Sequence, residues 1–237
     1  MAYSKIFVKV PDIKTSFKAG TYNYSTPSVK AANIKVIQKI NSTYGQIIEK
    51  WAALYEIPVG VIISFIATES GGTMAAPNRF QATGLMQVTP TAIYEVARKW
   101  RSEVDSPLPQ ESVNLLNQRV PDLLKAKTLT AGLRSSILSN LQRDANFNVM
   151  AGTMILRWLL ERFTTILSGG QLNKAMVAYN AGAYNRAISK GTKAILEPID
   201  STTLSRNPLV PAESRGYLLK MLGLDGFLSL IYKDKAL

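Results

Sequence analysis

The chain has 237 residues, 46% of them hydrophobic, and its 28 Lys and Arg against 16 Asp and Glu give a net charge of +12. This length supports one well-buried domain with room for a terminal extension. The absence of both Cys and His excludes disulfide frameworks, thiol nucleophiles, Ser-His-Asp and Cys-His catalysis and the usual His-containing zinc and iron sites, and leaves acid–base chemistry to carboxylates, Lys and Tyr. No cofactor and no metal are expected.

The positive balance favours a polyanionic partner, whether nucleic acid, an anionic membrane or an anionic cell-wall polymer, and a plain solubility role accounts for it equally. No zinc, RRM or Gly-rich phosphate motif supports nucleic acid. The start, Met1-Ala-Tyr-Ser-Lys-Ile-Phe-Val-Lys-Val10, has no long apolar core, so no secretory signal is read there. The chain is expected to be made in the cytoplasm, with any export provided by another device, and it shows no transmembrane segment.

Residues 1–28 read as an N-terminal arm, with a short alternating strand at Ile6–Val10 and a turn-rich stretch from Gly20 to Ser28. Helix is expected from Ser28, in two pieces: one marked by Ile34, Ile37 and Ile40, the next by Ile47, Ile48, Trp51 and Tyr55. Ile57-Pro58 breaks the pattern, and Pro58 falls at the first turn of the following helix. That helix is a ten-residue, nearly uncharged run from Val59 to Thr68, too short to cross a bilayer and ending in Glu69-Ser70-Gly71-Gly72.

Ile62, Phe65, Ile66 and Glu69 form an i, i+3, i+4, i+7 stripe, which sets a carboxylate on the face that should be buried. The helix C-terminus also disfavours negative charge. Both effects favour the protonated form that a general acid needs at neutral pH. The plain alternative is a helix-end Glu that turns out to solvent before a glycine cap.

Residues 73–88 carry no helical period and read as a loop with at most a short hairpin. Thr89-Pro90 is an N-cap followed by Pro at the first position, and Ile93, Val96, Ala97 and Trp100 follow at core spacing. Ser106-Pro-Leu-Pro109 is a break, followed by short helices around Val113–Leu116 and Leu133–Leu141. Helix resumes at Asn148 and runs to Phe163, with Met150, Met154 and Trp158 in phase, until Gly169-Gly170. Leu172–Tyr179 is a short helix capped by Asn180-Ala-Gly182. Mixed helix is expected over 183–197, loop from Pro198 to Pro211, and a last helix over Ala212–Leu222. The expectation is a mostly α domain.

Four short segments then line up in order: Glu69-Ser70; Gly84-Leu-Met-Gln-Val-Thr-Pro90; Ala178-Tyr-Asn-Ala-Gly182; and Pro211-Ala-Glu-Ser-Arg-Gly-Tyr217. Together they resemble the soluble lytic transglycosylase family, over about residues 43–222. Asp144-Ala-Asn-Phe-Asn-Val-Met-Ala-Gly152 is similar to the family segment that opens the helix before the third motif. The resemblance implies a lysozyme-like fold of the goose-type or SLT-like kind: a single domain over 29–237 with at most a small β-hairpin, following the 1–28 arm and carrying an inserted segment at about 105–143.

Residue by residue, the resemblance implies that Glu69 is the single catalytic acid/base, with Ser70 beside it. Met86 and Gln87 would line the saccharide cleft, and Tyr179 and Asn180 would face the carboxyl and the sugar. Glu213 would be a substrate-contacting or structural carboxylate. It further implies cleavage of peptidoglycan glycan strands at the MurNAc–GlcNAc bond. The 2-acetamido group of N-acetylmuramic acid would be the internal nucleophile, and Glu69 would return as base to the C6 hydroxyl, closing a 1,6-anhydro ring. Substrate assistance of this kind is a recognised exception to two-carboxylate glycoside cleavage.

The residue types suit that chemistry. Gln87 and Asn180 each offer donor and acceptor to N-acetyl and hydroxyl groups. Tyr179 could hydrogen-bond Glu69 or the acetamido group, or equally be a core tyrosine in phase with Leu172, Ala175 and Met176. Met86 could equally be gap filler.

The sequence departs from the family pattern in three places. Gly72 stands where an aromatic is usual, which suggests a more open cleft wall on that side. The 105–143 stretch is longer than usual and reads as a lid, a partner surface or a docking point. The usual signal peptide or lipid-anchor Cys is missing, which points to a phage enzyme carried in a virion with injection-machinery partners, or released to the wall. The alternatives are a hydrolytic muramidase of the same fold and an inactive wall-binding virion protein. A membrane-active reading of Val120, Leu123, Leu124 and Lys127 is interrupted by Pro121 and Gly132.

Overall fold

In the computed structural model, residues 26–104, 106–162, 171–182, 212–223 and 225–237 are described. Among them the chain is built of helices: α1 (Pro27–Tyr55), α2 (Val59–Ser70), α3 (Pro90–Glu103), α4 (Gln110–Arg119), α5 (Ala131–Arg143), α6 (Ala145–Arg162), α7 (Gln171–Ala181), α8 (Ala212–Leu222) and α9 (Phe227–Lys233). No strand is present among the described residues, and a single antiparallel bridge joins Thr83 to Val88. This is the mostly α architecture expected of the lysozyme-like class. The expected arm, the 183–197 helix and the 198–211 loop lie outside the described residues, apart from residues 26–28.

Two helices form the centre. In α2 every residue from Gly60 to Ala67 is buried, and in α6 every residue from Phe147 to Leu160 is buried. A helix enclosed on all sides is largely apolar all round, which is why α2 reads as a nearly uncharged run. Helix α1 packs along both α2 and α6; α3, α5 and α7 pack on α6, and α8 and α9 close over α2. No helix among the described residues is long and apolar enough to cross a membrane.

Local signals explain the helix ends. Thr26 caps α1 through Val29 N–H at 3.3 Å, with Pro27 at the first position. Thr89 caps α3 through Ala92 N–H at 3.1 Å, with Pro90 following. Asp144 accepts from Phe147 N–H at 3.0 Å at the start of α6. Gly71, at φ 62°, ends α2 in the left-handed conformation that glycine adopts without cost.

Three expectations are corrected here. Helix α1 is one continuous 29-residue helix rather than two. Neither Asn41-Ser-Thr43 nor Gly45 breaks it, because Ile37, Ile40, Ile48 and Trp51 bury the same face against the core on either side. Packing of that face outweighs the roughly 1 kcal/mol a helical glycine costs. Ala212–Leu222 is helical as expected but is not the last helix: Gly226 opens α9, whose Phe227, Leu228, Leu230 and Ile231 are buried. The 102–143 region is ordered into two helices longer than the short segments expected.

The same stretch is built into the core. Leu115, Leu116, Val120, Leu123, Ile137 and Leu141 are buried, so the apolar side of the amphipathic turn at 120–127 is spent on the protein's own interior. Arg119 pairs with Asp144 at 2.8 Å, and Asn140 Nδ2 donates to Arg119 O at 3.0 Å.

Candidate active site

Helix α2 delivers Glu69 to its C-terminal turn, where the stripe of Ile62, Phe65 and Ile66 lies at zero exposure and only Glu69, partly buried, reaches the edge of the core. Tyr217 on α8 donates its hydroxyl to Glu69 Oε1 at 2.8 Å. Burial pushes the Glu69 carboxyl up from 4.5 to about 7. The Tyr217 hydrogen bond and the charge of Lys220 pull it down, and the charge of Glu213 adds to the rise. A carboxyl poised near 7 holds its proton for donation at neutral pH and can ionise afterwards.

The aromatic side of the site is ordered by Phe65. Its ring meets Tyr179 at 5.0 Å and Tyr217 at 6.1 Å, both edge-to-face. Burial and the neighbouring Glu69 charge hold both phenols well above their ordinary range, so they remain hydroxyl donors. Tyr179 donates to Met86 O at 2.9 Å rather than to Glu69. The donor to the carboxyl is Tyr217, which stood in the fourth motif without a role. The available signal was its position four residues after Glu213, on the same helical face.

The loop after α2 forms the opposite side. Ser70 Oγ donates to Leu85 O at 2.7 Å and to Ile66 O at 3.1 Å, tying the helix end to the Gly84–Gln87 segment. Reciprocal backbone bonds of 3.2 and 3.1 Å between Thr83 and Val88 fold that segment into a tight turn, which realises the small hairpin expected. Gln87 adopts φ 47°, a strained value for a side chain other than glycine, and its Nε2 donates to Gly84 O at 3.1 Å.

Asn148, fully buried on α6, locks the turn from below. Its Oδ1 accepts from Met86 N–H at 2.9 Å, while its Nδ2 donates to Thr83 O at 3.0 Å and Leu141 O at 2.9 Å. Gly84, at φ 77°, has no room for a Cβ because Asn148 occupies that place.

Met86 departs from its expected place. Its side chain is at zero exposure and fills the space over Gly152, so it is a core residue and lines no cleft; its carbonyl, not its thioether, serves the site through Tyr179. Asn180, at the end of α7, accepts from Ser214 Oγ at 2.7 Å, which joins α7 to α8 and leaves the NH2 edge of the amide to donate. Glu213 is exposed in the first turn of α8, where the helix dipole favours a carboxylate, and it acts on Glu69 through space.

Gly72, in the place of the family's usual aromatic, sits at φ 76°, and a Cβ there would lie 2.5 Å from Ile40 Cγ1. The backbone packs directly on α1 at that point, so no side chain fits. Among the described residues, no group of three or more acidic side chains is placed to hold a metal ion.

The fold thus brings a partly buried Glu, held by a Tyr, up beside a polar turn. The transglycosylase SLT domain model matches residues 46–117 and 123–199, and the chain belongs to that family. No curated protein matches the chain at a significant level.

Proposed function

We propose that the protein is a peptidoglycan lytic transglycosylase that cleaves the β-1,4 bond between N-acetylmuramic acid and N-acetylglucosamine, with Glu69 as its single acid/base. The observation that carries this reading is the half-enclosed Glu69 carboxyl, raised to about 7 by burial and fixed by Tyr217. The family match supports the substrate class.

Glu69 donates its proton to the glycosidic oxygen as the bond to C1 of the muramic residue breaks, while the acetamido oxygen of that residue closes on C1. The resulting carboxylate then removes the proton of the C6 hydroxyl, and O6 attacks C1, releases the acetamido oxygen and leaves a 1,6-anhydro ring. Glu69 ends protonated, as it began. A group that gives and takes one proton in turn works best with a pKa close to the working pH. Gln87 and Asn180 supply amide groups for the N-acetyl and hydroxyl groups, and Tyr217 holds the carboxyl in position.

A hydrolytic reading rests on one observation, the through-space influence of Glu213 on Glu69, since a second carboxylate is what water-mediated cleavage uses. Mass spectrometry of products released from purified peptidoglycan separates the two. Saccharides ending in 1,6-anhydro-N-acetylmuramic acid are expected. Reducing-end products that disappear in Glu213→Gln would establish hydrolysis instead, and an unchanged yield from Glu69→Gln would sink both.

A further inference from the structure

Phe80 is 67% exposed, the most exposed large apolar side chain among the described residues, and nothing in the reaction above uses it. It stands at the tip of the same loop that carries Gln87, and the tip is firmly built. Asn78 Oδ1 accepts from Phe80 N–H at 2.8 Å and Ala82 N–H at 3.1 Å. Backbone bonds join Asn78 N to Ala82 O at 3.0 Å and Gln81 N to Asn78 O at 2.9 Å.

Gln81 holds φ 63°, and its Oε1 accepts from Arg134 Nη1 on α5 at 3.3 Å, while the same nitrogen donates to Thr91 at 3.2 Å. The Arg79 guanidinium lies 4.6 Å from the Phe80 ring centre, over one face, and leaves the other to solvent. A single exposed apolar side chain is common on a protein surface; what sets this one apart is the hydrogen-bonded loop tip and the Arg79 guanidinium that hold it.

Three residues lie between Phe80 and Gly84, whose carbonyl accepts from Gln87, so the Phe80 backbone stands within roughly 14 Å of the polar turn. The C–H face of a pyranose ring is apolar while its rim is polar, and an aromatic ring beside a guanidinium matches both: the ring stacks, and the cation meets hydroxyl, N-acetyl or carboxylate oxygens.

We propose that Phe80, with Arg79, is the stacking platform of an outlying glycan subsite. It would grip the polysaccharide strand beyond the residues that flank the cleaved bond. The role deepens the reading of Glu69 as a glycan-cleaving acid and rests on it for the identity of the strand. Binding energy gained at such a distance can be used to seat the reacting sugar against Glu69. No aromatic fits at Gly72, where the backbone packs on α1, and one is presented eight residues later on the braced tip.

Co-sedimentation with purified, insoluble peptidoglycan tests the platform, using wild type, Phe80→Ala and Phe80→Trp in the full chain. Glu69→Gln serves as a non-cleaving background in which binding is read without digestion. In that background, Phe80→Ala is expected to weaken binding about tenfold and Phe80→Trp to retain it. Circular dichroism should show all variants folded, since the side chain packs against nothing internal that Ala would remove.

Equal binding by Phe80→Ala overturns the platform. So does a Phe80-dependent affinity for single-stranded DNA with none for glycan. Product analysis of the Phe80-intact protein decides the reaction separately. Phe80-dependent binding without any cleavage would sink the transglycosylase reading and leave the subsite standing. Cleavage with Phe80-independent binding would sink the subsite alone.

Discussion

Replacing Glu69 by Gln should abolish cleavage and at the same time stabilise the fold, and the second effect must depend on pH. The carboxyl rises from 4.5 to about 7 on folding because burial disfavours its charged form. Below pH 4.5 both the folded and unfolded chains hold the proton, and the site costs nothing. As pH rises, the unfolded chain ionises first, so stability declines until the folded carboxyl ionises near 7 and is constant beyond. At about 1.4 kcal/mol per pH unit, the full interval corresponds to about 3 kcal/mol. Water reaches part of the carboxyl, and the amide weakens the Tyr217 bond, so about 2 kcal/mol is the expected gain at pH 8. For a chain of this size that raises the melting temperature by about 4–8 °C. Thermal unfolding of wild type and Glu69→Gln should coincide near pH 4 and separate through pH 5–7, at about the spacing given by linkage. An equal offset at pH 4 and pH 8 would show that the carboxyl is not held protonated by burial, and the acid–base assignment would lose its physical basis.

Tyr217→Phe removes the hydrogen bond that lowers the Glu69 pKa, so the alkaline limb of kcat/KM should move above 7 while kcat falls about tenfold; an unmoved limb would reduce Tyr217 to packing. Asn148→Ala strands Met86 N–H and the carbonyls of Thr83 and Leu141 in the core, and should cost about 3 kcal/mol by chemical denaturation. Gly72→Ala combines a left-handed φ with a 2.5 Å approach to Ile40 and should destabilise by about 2 kcal/mol or more, whereas Gly71→Ala, with nothing within 4 Å, should cost about half that.

Much of this was legible in the sequence where the signal is local. The stripe Ile62, Phe65, Ile66 and Glu69 states the burial of a carboxylate in four residues, and Thr89-Pro90 marks a helix start through chemistry confined to one turn; Thr26-Pro27 carries the same signal inside a stretch that reads as turn-rich. What was not legible depends on partners far along the chain. Tyr217 meets Glu69 across 148 residues, and Asn148 meets Met86 across 62; no periodicity records either. A polar residue such as Asn148 inside an apolar helix reads as a weakness until its three partners are seen. Met86 shows the converse: a motif position implies a site, but the packing partner that buries it, Gly152, lies 66 residues on. The continuity of α1 and the existence of α9 were decided in the same way, by surfaces supplied from elsewhere in the fold.

The pKa of Glu69 is set by opposing pulls, and most of the adjustable ones come from one helix. Glu213, Tyr217 and Lys220 occupy i, i+4 and i+7 of α8, a single face. The first raises the carboxyl's proton affinity and the other two lower it, against the larger rise that burial imposes. Burial alone would leave an acid too weak to serve as carboxylate in the second half-reaction, and the hydrogen bond and cation without burial would leave it ionised and unable to donate in the first. Because α8 packs on both α2 and α7, and Ser214 bonds Asn180 while Tyr217 bonds Glu69, the face that tunes the acid also registers the amide proposed to hold the sugar. The proton affinity of Glu69 and the position of Asn180 both depend on the seating of one helix, and a shift of α8 would disturb both together.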